Sequence, residues 1–314
     1  MLGQAEAIHG MVTVIDTDPG IDDALALLLA WGSPGIAVEA LTTVAGNVSL
    51  EAATVNVLRL LALRQPAPAP RVARGAAHPL VRPLRTATRY HGEDGMGDVS
   101  GWDLVDGSSV TAHAVDVLLE LADRHAGALT LIALGPLTNV ALALRADRRR
   151  MSRIARLVAM GGAVDVPGNV TPDAEFNMHV DPEAAGEVFA AGLPLDLVPL
   201  DATRQAIVSR DDLEAALADG EPRVARAVAA FTARGFRVDT ARGAAGMVLH
   251  DPLCVAAAVD PSLVTWEPAS LGVRPDGATR RTPGTPNCRF ASRVHVERFQ
   301  PVFLSRVCPR GVAR

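Results

Sequence analysis

VTVIDTDPGIDDALALLLA, residues 12–30, decides the architecture. Val12–Asp16 is a short apolar run rich in β-branched residues, which reads as a strand. Residues 22–31 are apolar almost throughout and read as a helix buried against a sheet. Between them stands a tight turn with Pro19 and Gly20. A strand, a turn and a helix in so few residues form the opening unit of an α/β fold. The carboxylates Asp16, Asp18, Asp22 and Asp23 fall at the carboxyl end of that strand, where open α/β sheets bind their ligands.

Outward from this unit, strand and helix alternate. Strands are expected at 36–44, 128–134, 154–160 and 194–200. A half-exposed strand is expected at 290–299, leading into a short helix. Helices are expected at 49–63, 110–124, 139–145, 181–192, 210–218, 222–234 and 250–259, the last with Asp251 as cap and Pro252 at its first position. The proline-broken run 64–71 reads as a connection. The glycine-rich stretch 84–109, with HGEDGMG at its centre, reads as a functional loop. Repeats, low-complexity tracts and linkers are absent from the sequence. The expectation is one α/β domain over 1–314: a single open, mostly parallel sheet with helices on both faces. Four strands end in TDPGIDD, AGN, GPLTN and GG. Such loops at the same ends of parallel strands converge on one crevice.

Composition narrows the function. Formal charge is −5 and aromatic residues are 4%, which gives neither the basic face of a nucleic-acid binder nor stacking platforms for single strands. All 30 basic Lys/Arg positions are Arg, so Schiff-base and phosphate-lysine chemistry has no residue to run on. Three cysteines without metal or redox spacing argue against a disulfide framework. The start, MLGQAEAIHG, shows no targeting pattern, and ALALLLA is too short to span a bilayer. A cytoplasmic protein with no nucleic-acid or membrane partner is the expectation.

Helix capping accounts for one aspartate of DTDPGIDD, and tolerably for a second, but not for four in eight positions beside an apolar helix. Crowded carboxylates persist where a cation compensates them, and a hard divalent ion bound through oxygen fits best. Asp18 from the turn and Asp23 from the helix can ligate it, with Gly20 permitting the bend. A backbone carbonyl near the strand end at Leu134 is placed to add a ligand. The histidines are scattered, which disfavours zinc. His250 adjoins Asp251, and His91 sits in the glycine-rich loop; both are candidates to face the crevice.

DTDPGIDDALALL, TTVAGN, HGEDGMG, GPLTN, MGG, AEFN with DPEAA, and HDPL, running from residue 16 to 253, together resemble the inosine–uridine preferring nucleoside hydrolase family. The resemblance implies a Rossmann-like nucleoside hydrolase fold. The implied enzyme is a calcium-dependent N-ribohydrolase that splits purine or pyrimidine ribonucleosides into ribose and free base. It implies Asp18 as Ca²⁺ ligand and base toward the attacking water. Asp23, the Leu134 carbonyl and Asp251 are the other implied ligands; relatives often carry Thr where this chain has Leu134. Asp22, Asn177 and Asp251 resemble the residues that hold the ribose 2′ and 3′ hydroxyls. Asn169 and Glu175 resemble those on the 5′ side, and Met160 packs the sugar. Asn47 resembles the residue beside the developing oxocarbenium ion. His250 and His91 resemble the residues at the base, with His250 as the candidate proton donor, favoured in its protonated form by nearby carboxylates. Phe231 and Phe236 either wall the base or belong to the core. The resemblance also implies a homodimer or homotetramer. Two rivals are a haloacid-dehalogenase-type phosphotransferase, which expects a downstream Lys, and a non-catalytic nucleoside- or ribose-binding protein on the same fold.

Overall fold

The computed structural model describes residues 10–101 and 105–309. The start of the chain read for a targeting pattern, 1–9, and residues 102–104 of the glycine-rich loop lie outside them. An eight-stranded sheet organises the chain. Its strands are β1 (Met11–Thr17), β2 (Ile36–Thr43), β3 (Arg71–Arg74), β4 (Thr130–Ala133), β5 (Arg156–Met160), β6 (Leu195–Val198), β9 (Val264–Ala269) and β12 (Cys288–Val294). Two small antiparallel pairs complete the strands: β7 (Ile207–Val208) with β8 (Met247–Val248), and β10 (Leu271–Val273) with β11 (Thr279–Arg281). The sheet order is β3-β2-β1-β4-β5-β6-β12-β9, and every pairing is parallel except β12 with β9. After β3 the chain returns to the middle, placing β4 beside β1. That reversal opens a crevice between the carboxyl ends of β1 and β4.

The helices are α1 (Ile21–Gly32), α2 (Leu50–Arg64), α3 (Thr88–His91), α4 (Ala114–Arg124), α5 (Thr138–Met151), α6 (Phe176–Val180), α7 (Pro182–Phe189), α8 (Leu200–Thr203), α9 (Arg210–Ala218), α10 (Pro222–Ala241), α11 (His250–Val259) and α12 (Val296–Val307). They cover both faces of the sheet, as expected. Helix α1 is buried from Ile21 to Ala30, because α11 and α12 pack over the side that the sheet leaves free. This double cover explains why its sequence is apolar all round rather than striped.

Several elements depart from the sequence expectation. Strand β3 forms where the sequence reads only the end of a connection. It is four residues long and polar, and exists because β2 offers a free edge. Strand β9 contains Pro268, which argues against a central strand; it is tolerated because β9 is the outer edge. Helix α4 starts at Ala114 rather than 110. Helix α10 runs to Ala241, past the expected end at 234. Inside the fold Gly235 is a packing position, since an added Cβ would lie 2.6 Å from Met247 Sδ. No helix among the described residues is long and apolar enough to cross a membrane.

Leu27 is fully buried in α1. Leu27→Ala is expected to cost about 2–5 kcal/mol through lost burial and a cavity that two packed layers cannot close. A urea titration reads this as a lower midpoint at unchanged slope; an unchanged midpoint would show that α1 is not packed as described.

Candidate active site

A cavity of about 550 Å³ opens at the crevice between β1 and β4. Asp22 lines it from the first turn of α1, Asn47 from the loop after β2, His91 from the end of α3, Leu134 from the loop after β4 and Met160 from the end of β5. Asn169 and Glu175 contribute from the segment before α6, Asn177 from α6 itself, and His250 and Asp251 from the start of α11. Asp18 and Asp23 lie behind this wall, both fully buried.

The carboxylates are held from several elements. Asp18 Oδ2 accepts the backbone N–H of Asn47 at 2.6 Å, while its Oδ1 is buried without a partner. The backbones of AGN and GPLTN press against it. A Cβ at Gly46 would fall 2.1 Å from Asp18 Oδ2, and one at Gly135 2.6 Å from Oδ1, so these loops need glycine to close around the carboxylate. Asp23 accepts from Thr17 Oγ1 at 2.6 Å, from the Gly20 N–H at 3.0 Å and from Asn47 Nδ2 at 3.0 Å. Its bond to Gly20 caps α1, so for Asp23 the capping explanation is half right. Asp18 caps nothing; the N-cap is Gly20. Asp251 sits inside the first turn of α11 rather than at its cap, which is Leu249. Its carboxylate is thereby left to the cavity.

Asp22, Asp23 and Asp251 offer oxygens within 4.8 Å of one another. Burial, then Asp23, raises Asp22 to about 8. Burial, then Asp22, raises Asp251 well above the usual carboxylate range. Burial, then Asp23, does the same to Asp18. Groups that repel one another in a dry place are stable only protonated or around a positive charge. The buried, unpartnered Oδ1 atoms of Asp18 and Asp22 are acceptors awaiting such a charge. This all-oxygen donor set fits a hard divalent cation. The Leu134 carbonyl, expected in the same shell, accepts Asn177 Nδ2 at 2.6 Å and keeps a second lone pair.

The remaining polar residues are fixed by backbone contacts. Glu175 caps α6, accepting from the N–H groups of Asn177 (2.9 Å), Gly162 (2.9 Å) and Met178 (3.2 Å). Burial raises its pKa and these donors oppose the rise. Asn169 Oδ1 accepts the Phe176 N–H at 3.0 Å. Asn56 Nδ2 donates to the carbonyls of Pro19 (3.1 Å) and Asp94 (2.7 Å), tying the HGEDGMG loop to the aspartate turn.

Both histidines reach the cavity. His91 Nδ1 accepts the Ile21 N–H at 3.0 Å, so its ring proton belongs on Nε2; burial, then His250, lowers its pKa to about 3. His250 Nδ1 lies 2.8 Å from Thr203 Oγ1. The expectation that carboxylates hold His250 protonated is reversed. Burial lowers its pKa to about 4, and the Arg204 and Arg242 guanidinium groups push the same way. Phe231 and Phe236 do not line the cavity; they are packed in the core around α1, with Arg210 stacked 4.8 Å over Phe236. In their place, Tyr90, Phe176, Arg204, Asp239 and Arg242 form wall. Tyr90 could have been suspected as the neighbour of His91. Asp239 and Arg242 lie beyond the expected end of that helix at 234 and carry no motif of their own.

Comparison with known proteins finds relatives across nearly the whole chain. The family model described as inosine-uridine preferring nucleoside hydrolase matches residues 13–301. The non-specific ribonucleoside hydrolase RihC of Klebsiella pneumoniae subsp. pneumoniae is 37% identical over 301 residues, covering 91% of this chain and 95% of its own. The pyrimidine-specific ribonucleoside hydrolase RihA of Salmonella enteritidis is 40% identical, covering 84% of each chain. The solved plant nucleoside hydrolase PpNRh1 superposes with a TM-score of 0.88 at 33% identity, covering 95% of this chain and 99% of that one. A purine-preferring ribonucleoside hydrolase from Gardnerella vaginalis superposes at 0.84 with 29% identity, covering 94% of this chain and 98% of that one.

Proposed function

This chain belongs to the inosine-uridine preferring nucleoside hydrolase family, and we propose that it is a calcium-dependent N-ribohydrolase of ribonucleosides. The observation that carries the reading is the cluster of buried carboxylates, two with unpartnered oxygens, at the inner end of a cavity lined by amide and carboxylate groups. Family membership sets aside a phosphotransferase of the haloacid-dehalogenase type.

Asp18, Asp23, Asp251 and the Leu134 carbonyl are the proposed Ca²⁺ ligands, with Asp22 adjoining. A bound cation there supplies the positive charge that acidifies water and orients a cis-diol. Asp18 takes the water's proton at the carboxylate edge that no protein donor occupies. Asp22, Asn177 and Asp251 hold the ribose 2′ and 3′ hydroxyls. Asn169 and Glu175 hold the 5′ side, and Met160 packs the sugar. Asn47 spends its amide N–H on Asp23, which turns its carbonyl oxygen toward positive charge building on the ring. His91 and His250 face the base as neutral imidazoles, each able to donate one N–H.

The relatives differ in the base they are named for, and no single base follows for this chain. A broad or purine–uridine preference is the proposal. A cytoplasmic location and a homodimer or homotetramer complete it.

Base release from inosine or uridine is expected to stop on complete chelation and return with Ca²⁺. Asp18→Ala is expected to remove most of kcat with the melting temperature preserved. Full turnover after chelation, or stoichiometric zinc in the purified protein, would refute the assignment.

A site that hydrogen-bonds a hydroxyl rejects the analogue lacking it, by about 10⁴-fold in favourable cases. Inosine is therefore expected to exceed 2′-deoxyinosine by a large factor in kcat/KM. Near-equal values would remove Asp22, Asn177 and Asp251 from the ribose clamp. Light scattering is expected to give the mass of two or four chains; a monomer would contradict the assembly.

A further inference from the structure

The wall of the cavity built by the end of α10 contains a cation that the scheme above does not use. Helix α10 carries Asp239 in its last turn and Arg242 as its C-cap, and both line the cavity with Tyr90. Tyr90 Oη donates to Asp239 Oδ2 at 2.7 Å, and the Val248 N–H donates to the same oxygen at 3.0 Å. The tyrosine ring is thus fixed from below, and the Arg242 guanidinium lies over it, 5.5 Å from its centroid. A guanidinium on an aromatic face keeps its donors free at the edge.

The other arginines nearby each spend donors on protein acceptors. Arg204 donates to the Gly168 carbonyl at 2.7 Å. Arg234 donates to Asp98 at 2.7 Å and to the Tyr90 carbonyl at 3.0 Å. Among the described residues Arg242 makes no ion pair, although it lines the same cavity as His91 and His250. Each histidine has its Nδ1 taken, by Ile21 or by Thr203. Arg242 is therefore the cavity-lining guanidinium whose side-chain donors no hydrogen bond or ion pair occupies among the described residues, its charge resting on the Tyr90 ring and acting at longer range on Asp239.

We infer that Arg242 is a catalytic residue for the leaving group: its guanidinium receives the negative charge that builds on the departing base. The inference rests on the N-ribohydrolase reading. As the water oxygen bonds to C1′, the C1′–N bond breaks and its electron pair leaves with the base. The water's proton goes to Asp18. The base departs as an anion paired with Arg242 and takes a proton from solvent on release, while Asp18 gives its own back to solvent. Tyr90 and Asp239 position the guanidinium.

The test compares two substrates in the full-length protein. In Arg242→Gln, kcat for inosine is expected to fall about 10²-fold, the usual loss on removing one preorganised donor from a developing charge. Turnover of p-nitrophenyl riboside, whose leaving group departs unaided, is expected to stay near wild type and reports an intact fold. Arg242→Lys, which keeps the charge, is expected to recover part of the inosine loss. Equal losses on both substrates, no loss on inosine, or a Lys variant no better than Gln would each overturn the inference. Wild-type protein that cleaves neither riboside would instead overturn the N-ribohydrolase reading itself.

Discussion

Mutual repulsion among buried carboxylates is the constraint around which this molecule is arranged. Asp18, Asp22, Asp23 and Asp251 are all buried, and burial together with like charge drives three of them far from ordinary carboxylate behaviour. Desolvating even one such group is costly unless it is neutralised or paired. The surrounding structure pays that cost only partly. Asn47 serves Asp18 through its backbone and Asp23 through its side chain, and Thr17 and Gly20 complete Asp23. Oxygens on Asp18 and Asp22 are left over. What remains is a negatively charged, preorganised pocket, which is what a divalent cation and a hydroxyl-rich ligand both require.

The sheet explains why these groups can be brought together at all. The reversal of strand order at β1 and β4 leaves no crossing connection above their carboxyl ends. The loops after β1, β2, β4 and β5 are free to converge there. Glycines at 46 and 135 let two of those backbones approach Asp18 more closely than any side chain allows. The apolar helix α1, enclosed between the sheet and α11 and α12, anchors the aspartate turn in a fully buried part of the fold. The acid cluster is therefore held by core packing as well as by hydrogen bonds.

The opposite wall is built differently. The HGEDGMG loop is pinned on one side by Asn56 and on the other by Arg234 of α10, and it delivers Tyr90 and His91 to the cavity. The Asn56 contacts span 37 and 38 residues and the Arg234 contacts 144 and 136, and all use single side chains rather than a β ladder. A wall assembled this way can change residue by residue while the carboxylate end stays fixed. That separation is consistent with relatives of similar identity being named for pyrimidine-specific, purine-preferring and non-specific activities.

Much of this was legible from the chain alone. The strand–turn–helix at 12–30, the parallel α/β layers and the convergence of DTDPGIDD, AGN, GPLTN, MGG and HDPL follow from local periodicity and from spacing within short segments. A carboxylate cluster next to an apolar helix is visible because its cost is local. The base-side wall was not visible. The expected helix ends at 234, and only Met247 filling the space beside Gly235 shows how α10 continues through Asp239 to its C-cap, Arg242. Phe231 and Phe236 have the composition of an aromatic pocket, yet the rotation of α10 turns them into the core. The edge strands β3 and β9 exist because a neighbouring strand offers free hydrogen-bonding groups, which their own short, polar or proline-containing sequences do not announce. The charge state of His250 depends on burial and on arginines 46 residues before and 8 residues before it, not on the adjoining aspartate. Sequence determines what a segment tends to be; which distant groups share its solvent-free space is decided only when the chain closes.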